Sequence, residues 1–136
     1  ACIAQKVSKL EMEVEDAAEI IVQFKSGSIG EIHIDYLQRF AQRNYEFFGE
    51  TGTIKWDLNL KRVIVQTVRK GMQEFPEAQN YELNQMYIEE LKHFLKSVKK
   101  RCSTITPIEN TKVLELVMAT IESSQKSKFV SLYENI

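Results

Sequence analysis

Within seven residues, Leu37-Gln38-Arg39-Phe40-Ala41-Gln42-Arg43 gathers two guanidinium forks, two amides and an aromatic ring. A guanidinium group offers paired N–H donors in a fixed plane, which match the oxygens of a carboxylate or phosphate. Such a set can also grip sugar hydroxyls. Arg39, Gln42 and Arg43, with Tyr36 just ahead of them, are therefore the candidate substrate-binding residues. The competing reading is an ordinary polar connector, since loops carry polar residues in any case. A second grouping is His33, flanked at alternate positions by Glu31 and Asp35. Neighbouring carboxylates raise the pKa of a histidine and suit it to acid–base work. No nucleophile stands beside it, so the three read as a solvated face or a subunit contact before they read as a catalytic centre. A third grouping is Glu89 with His93, four positions apart on one helix face. Two metal ligands can share that spacing, but a third and fourth are not evident, and a surface pair is the simpler reading.

The sequence holds no Gly-x-Gly-x-x-Gly, no phosphate loop, no Gly-x-Ser-x-Gly elbow and no cysteine cluster. Self-contained versions of the commonest catalytic, cofactor and metal sites are thereby excluded, and no residue is assigned to any of them. Lys and Arg number 18 against 19 Asp and Glu, a formal net charge of -1, so no global field recruits nucleic acid or an anionic membrane. The densest basic run, Lys96-Ser-Val-Lys-Lys-Arg101, suits a solvated helix C-terminus. Cys2 and Cys102 are too few and too far apart for a disulfide framework or a zinc site, and free buried thiols in a reducing cytoplasm are expected. No apolar run approaches the roughly 20 residues of a membrane span. The opening Ala-Cys-Ile-Ala already reads as strand, which suggests a piece of something longer.

The elements that must position these groups divide into strands first and helices afterwards. Tyr45 to Asp57 is the centre of the pattern: apolar residues alternate at Tyr45 and Phe47 and again at Ile54, Trp56 and Leu58, with Gly49 and Gly52 bracketing Glu50-Thr51. That is a β-hairpin, in which glycine can supply the positive φ of a tight reversal. Its apolar side chains require further strands beside it and cover on its apolar face. Strands are predicted for Cys2–Leu10, Asp16–Phe24, the run containing Ile32, Ile34 and Tyr36, and Arg62–Val68. Arg69–Asn80, with Gly71 and Pro76, reads as a crossover loop.

From Glu82 to Lys100 the period becomes 3.6, with Tyr87, Ile88, Leu91, Phe94, Leu95 and Val98 on one stripe. Thr106-Pro107 interrupts it, Asn110 is the expected N-cap of a second helix ending near Lys126, and Phe129–Leu132 returns as a short strand. The architecture expected is α+β: a mostly antiparallel sheet with two long C-terminal helices packed on one face. At 136 residues one domain is expected, burying roughly two-thirds of its unfolded surface.

Two stretches carry a resemblance. Val14-Glu-Asp-Ala-Ala-Glu-Ile-Ile-Val-Gln-Phe-Lys-Ser-Gly-Ser-Ile-Gly-Glu-Ile32 and Glu46-Phe-Phe-Gly-Glu-Thr-Gly-Thr-Ile54 resemble the C-terminal half of Gfo/Idh/MocA oxidoreductases, the glucose-fructose oxidoreductase and inositol dehydrogenase family. Tyr87-Ile-Glu-Glu-Leu-Lys-His-Phe94, Pro107, Ala119-Thr-Ile-Glu-Ser-Ser124 and Lys128-Phe-Val-Ser-Leu132 extend the likeness over nearly the whole chain. The resemblance implies a two-domain NAD(P)-dependent enzyme acting on a sugar, cyclitol or nucleotide sugar. Its N-terminal Rossmann domain would hold the dinucleotide, and its C-terminal sheet domain would shape the substrate pocket and form the oligomer interface. This chain lacks the Glu-Lys-Pro motif of the family's catalytic lysine and the Asp-x-x-x-His motif, since Ile29 and Glu89 stand four before the two histidines. No catalytic residue carries over.

The expectation is thus a substrate and oligomerisation domain, inactive alone, whose NAD or NADP belongs to the parent protein. Arg39, Gln42, Arg43 and Tyr36 would face substrate, and the sheet face of Glu31, His33 and Asp35 would meet another subunit. The rivals are a stand-alone α+β module for a small ligand or a protein, and a small enzyme using His33 with Asp35 or Glu31.

Overall fold

The computed structural model describes residues 1–78, 81–102 and 107–132. Among the described residues seven strands precede two helices, and the chain resolves into two compact units, residues 1–38 with 103–136 and residues 39–102. The fold is α+β as expected, but its strands form two antiparallel sheets, of three and four strands.

In the first unit β1 (Cys2–Gln5), β2 (Ala17–Gln23) and β3 (Ile29–Asp35) lie in the order β1-β2-β3. β1 is half the predicted length because Asp16 takes the chain out of the ladder. Its carboxylate, in a residue only 1% exposed, accepts the N–H of Val7 at 2.7 Å and of Ser8 at 3.0 Å, as well as the Ser8 hydroxyl. These bonds hold the Asp16 carboxyl below the usual carboxylate range, with Lys6 adding a weaker attraction from 3.9 Å. Between β2 and β3, Gly27 takes φ +89° in a turn closed by the Phe24 N–H on the Ser28 carbonyl at 2.9 Å. That conformation is nearly free for glycine alone.

The second helix, α2 (Pro107–Lys126), lies against β1. It begins three residues before the expected Asn110 cap, with proline leading, where a missing N–H costs nothing; Thr106 lies outside the described residues. Near its C-terminal end two serines cover the free edge of β1. Ser123 Oγ accepts the Cys2 N–H at 2.8 Å and donates to the Lys128 carbonyl at 2.6 Å, while Ser124 Oγ accepts the Ala4 N–H at 2.9 Å and donates to the Ala4 carbonyl at 3.2 Å. An unpaired strand edge otherwise invites another chain. The predicted strand at Phe129–Leu132 is irregular backbone instead, and the Lys128 end of it is tied to Ser123.

The second unit is a meander, β4 (Asn44–Gly49), β5 (Gly52–Asp57), β6 (Arg62–Thr67) and β7 (Gly71–Pro76), in sequence order. The hairpin of β4 and β5 is as predicted, and its Tyr45 and Trp56 rings stack at 5.3 Å between centroids. Phe47 and Phe48, on opposite faces of β4, are both exposed among the described residues. Neither Gly49 nor Gly52 has positive φ, contrary to expectation. Gly52 is required for space instead: a Cβ there would stand 2.3 Å from the Gln66 carbonyl oxygen. β7 replaces the expected crossover loop, of which residues 79–80 lie outside the described residues. Its Met72 and Phe75 pair with Gln66 and Val63, and Pro76 is tolerated because it ends an edge strand.

The first helix, α1 (Leu83–Lys100), carries the predicted apolar stripe, and Tyr87, Ile88, Leu91, Phe94, Leu95 and Val98 are exposed. Lys99 and Lys100 occupy its last turn, and Arg101 caps it in the left-handed region at φ 49°. Cys2 is buried, whereas Cys102, expected to be buried, is exposed. Among the described residues no helix is long and apolar enough to cross a membrane.

Candidate functional site

β2 and β3 pair so that Glu19 stands opposite His33. Side chains alternate across a sheet, so the face bearing His33 also carries Glu31 and Asp35 from its own strand and Glu19 from the neighbouring one. The ring engages only some of these. His33 Nδ1 lies 2.5 Å from Glu19 Oε1 and Nε2 lies 2.7 Å from Asp35 Oδ2, while Glu31 extends into solvent. The bond to Glu19, and after it the bond to Asp35, raises the His33 pKa above its ordinary 6.5. With both nitrogens facing carboxylates, the imidazolium satisfies both acceptors.

Asp35 is a turn-former as well as a partner of His33. Its Oδ1 accepts the N–H of Leu37 at 2.6 Å and of Gln38 at 2.9 Å, and its Oδ2 accepts the Gln38 side-chain amide at 2.7 Å. Bonds from a strand-end carboxylate to backbone two and three residues on make an Asx turn. Led by the Gln38 amide, these donors bring the Asp35 carboxyl down to about 2. Its side chain is 5% exposed, against 49% for His33 and 54% for Glu19. Of the three residues expected on an interface face, Asp35 is thus largely occupied within its own unit.

Tyr36 is exposed in the first unit, where its N–H donates to the Asp16 carbonyl at 3.0 Å. Arg39, Gln42 and Arg43 open the second unit and are exposed, with exposed Phe40 among them. Their backbone is held by the turn after β5: the Asn59 side-chain amide donates to the Ala41 carbonyl at 3.0 Å, and the Leu58 N–H to the Arg43 carbonyl at 3.0 Å. Asn59 and Leu60 are themselves fixed by Asp57, whose Oδ1 accepts their N–H groups at 2.8 and 3.0 Å. An anchored backbone under solvated guanidinium groups is able to receive an anion with little further ordering.

Sequence reasoning missed Glu19, Asp16 and a cleft of about 480 Å³ in the first unit. Glu19 is 14 residues from His33, and only the strand register reveals the pair. The cleft lies between β2 and α2, against Ile20, Val22, Phe24, Leu116 and Phe129, with Gln23, Lys112, Thr120, Ser123 and Ser131 as polar members. None of Tyr36, Arg39, Gln42 and Arg43 lines it. On α1, Glu89 accepts from the Gln85 amide at 2.7 Å and from Lys92 Nζ at 2.8 Å, so its carboxylate serves the helix surface. Among the described residues no three His, Cys, Asp or Glu side chains converge as a metal would require.

Fold and site together define an α+β domain with an anchored cationic loop. Oxidoreductase family, C-terminal alpha/beta domain, is the family that matches, over residues 3–132. The chain belongs to this Gfo/Idh/MocA C-terminal domain family. No curated protein sequence matches it. Similar solved structures include a Thermotoga maritima protein provisionally described as an oxidoreductase, at 16% identity and TM-score 0.73, covering 93% of this chain and 38% of that one. An oxidoreductase from Agrobacterium radiobacter in complex with NAD+, L-tartaric acid and magnesium aligns at 18% identity and TM-score 0.75, covering 96% of this chain and 42% of that one. The chain therefore spans less than half the length of either structure.

Proposed function

We propose that this chain is the substrate-side and oligomerisation domain of an NAD(P)-dependent oxidoreductase acting on a sugar, a cyclitol or a nucleotide sugar. The observation that carries this reading is the family match through both units, residues 3–132. The dinucleotide belongs to an N-terminal Rossmann domain of the parent protein, since the phosphate-cradling glycines have no counterpart in this sequence. Alone, the chain is inactive. Its partners are that domain and further copies of itself, met through the face of Glu31, His33 and Asp35, and its setting is cytoplasmic.

Arg39, Gln42 and Arg43 bind substrate, with Tyr36 a further contact. Two guanidinium groups favour a phosphorylated or carboxylated substrate over a neutral cyclitol. A structural neighbour that holds NAD+ and L-tartaric acid, a hydroxylated dicarboxylate, is in keeping with that preference. The test is steady-state kinetics of the parent enzyme with neutral and anionic sugars. Arg39→Ala and Arg43→Ala are each expected to lower kcat/KM by roughly 10 to 150-fold, the loss of a hydrogen bond to a charged group, with nucleotide Kd unchanged. If both variants keep wild-type kcat/KM, the loop is a connector.

A further inference from the structure

We infer that the cleft between β2 and α2 is the seat of the segment directly preceding Ala1 in the parent protein, which continues β1 along Val22, Gln23 and Phe24. The inference rests on the reading of a longer parent given above and adds to it a contact that ties its two parts together.

β1 lies between two neighbours, β2 on one edge and α2 on the other. The Cys2 and Ala4 N–H groups turn outward to Ser123 and Ser124 of α2. On the inner edge the ladder runs past Cys2: the Ala1 nitrogen donates to the Ile21 carbonyl and the Ile21 N–H to the Ala1 carbonyl, each at 2.8 Å. Doubly bonded positions recur at every second residue of an antiparallel pair. The next falls at Gln23, whose backbone N–H and carbonyl face the same side as those of Ile21, so its partner in register is the second residue ahead of Ala1.

On the outer edge Ser123 serves Cys2 and Ser124 serves Ala4, so earlier turns of α2 flank the stretch ahead of Ala1. The cleft is bounded in just this way, by Val22, Gln23 and Phe24 on one side and Thr120, Leu116 and Lys112 on the other, with Ala1 at one end. Three residues of strand span about 10 Å, and the helix rises about 12 Å from Lys112 to Thr120, so the two walls match in length.

Directly opposed residues share a face of the sheet. The residue ahead of Ala1 therefore places its side chain beside Val22, on the apolar side that holds Ile20 and Phe24. Its N–H points outward, as those of Cys2 and Ala4 do, toward the same row of hydroxyls. Thr120 stands one turn before Ser123; its Oγ1 donates to the Val117 carbonyl at 2.7 Å and keeps lone pairs for an incoming N–H. A strand meets the Gln23 backbone groups and the apolar wall together, which an apolar small molecule does not.

The experiment is cysteine pairing in the parent protein, with Cys102→Ala throughout. Val22→Cys stands opposite the residue ahead of Ala1 in a pair without mutual hydrogen bonds, where the two Cβ atoms come within disulfide range. With Cys2→Ala and a cysteine substituted for that residue, mild oxidation should close the bond in most molecules, read by mass spectrometry of digested peptides. The same cysteine with Gln23→Cys should stay reduced, because the Cβ atoms point to opposite faces. Ile20→Cys with the native Cys2, opposed in the ladder, is the positive control. In hydrogen exchange the Gln23 N–H should be as protected as that of Ile21. Thr120→Val should speed exchange at the residue ahead of Ala1 roughly 2 to 10-fold, the size of one ordinary hydrogen bond. If the control closes while Val22→Cys stays reduced and the Gln23 N–H exchanges freely, the inference is overturned. NADH titration of the parent separates the two readings: binding without the Val22→Cys bond removes the inference alone, and the bond without binding removes the dinucleotide reading alone.

Discussion

Glu19 and His33 are opposite residues in the β2–β3 ladder, joined at 2.5 Å although 14 positions separate them in sequence. Because the folded state raises the His33 pKa, it binds this proton more tightly than the unfolded chain does. The resulting stabilisation is complete below the unfolded value, near 6.5, and disappears as pH rises through the raised folded value. Melting temperature is therefore expected to fall on the alkaline side of 6.5, and the fall should be smaller in Glu19→Gln. Thermal melts of both proteins at matched ionic strength check this, and equal slopes would count against it.

The opposite limb belongs to two aspartates. Asp16 and Asp35 both have lowered pKa values, Asp35 about 2 against an ordinary 3.8, so they stabilise the fold above the unfolded value. For Asp35 that contribution drains away as pH drops from about 4 toward about 2, and for Asp16 it is lost as pH falls through its lowered folded value. Asp16→Asn and Asp35→Asn should each flatten the acid limb of a stability curve. A variant with an unchanged acid limb would remove that residue from this account.

Ser123 is 3% exposed, and its hydroxyl is the acceptor for the buried Cys2 N–H. Ser123→Ala strands that donor together with the Lys128 carbonyl, and should cost about 1 to 3 kcal/mol, the penalty for a buried polar group left unpaired. Ser124→Ala acts at a less buried edge and should cost about 0.5 to 1.5 kcal/mol. Urea titration measures both, and an order reversed between the two would contradict the burial argument.

Glycines 27 and 52 are required for different reasons, and substitution separates them. At Gly52 a new methyl meets the Gln66 carbonyl at 2.3 Å and Thr67 at 3.0 Å, within a paired ladder that cannot give way locally. Gly52→Ala should cost about 1 to 3 kcal/mol as an overpacked site. At Gly27 a methyl meets nothing within 4 Å, and the cost is the φ of +89° alone. About 1 kcal/mol is expected for Gly27→Ala, at the low end for a residue held in a sparsely populated backbone region. Denaturation midpoints for the pair test the distinction.

Local signals gave the elements that are self-consistent over a few residues. The Tyr45–Asp57 hairpin, the alternation around Ile32 and Ile34 and the stripe from Tyr87 to Val98 were all legible because period and turn chemistry agree. β7 was not, since Gly71 and Pro76 look like breakers until β6 supplies a partner. β1 was overdrawn because nothing near Val7 announces that Asp16 will capture its N–H. The split into two sheets at the Arg39 loop was likewise invisible to alternation, which reports faces and not which strands share a ladder. Of the candidate site, the residue types were readable and the geometry was not. His33 and Asp35 could be paired by eye, but Glu19 in place of Glu31 follows only from the register of β2 on β3.

The bond between Ser123 and Cys2 also has a meaning in time. The two residues lie 121 positions apart, so the first strand is made long before the helix that seals its edge. At a synthesis rate of about 5–20 residues per second, roughly 6 to 24 s pass between them. During that interval β1 can pair with β2 but presents its outer N–H and carbonyl groups to whatever is nearby. A nascent chain on a crowded ribosome is therefore most open to wrong strand partners just before α2 emerges, and the paired serines end that exposure.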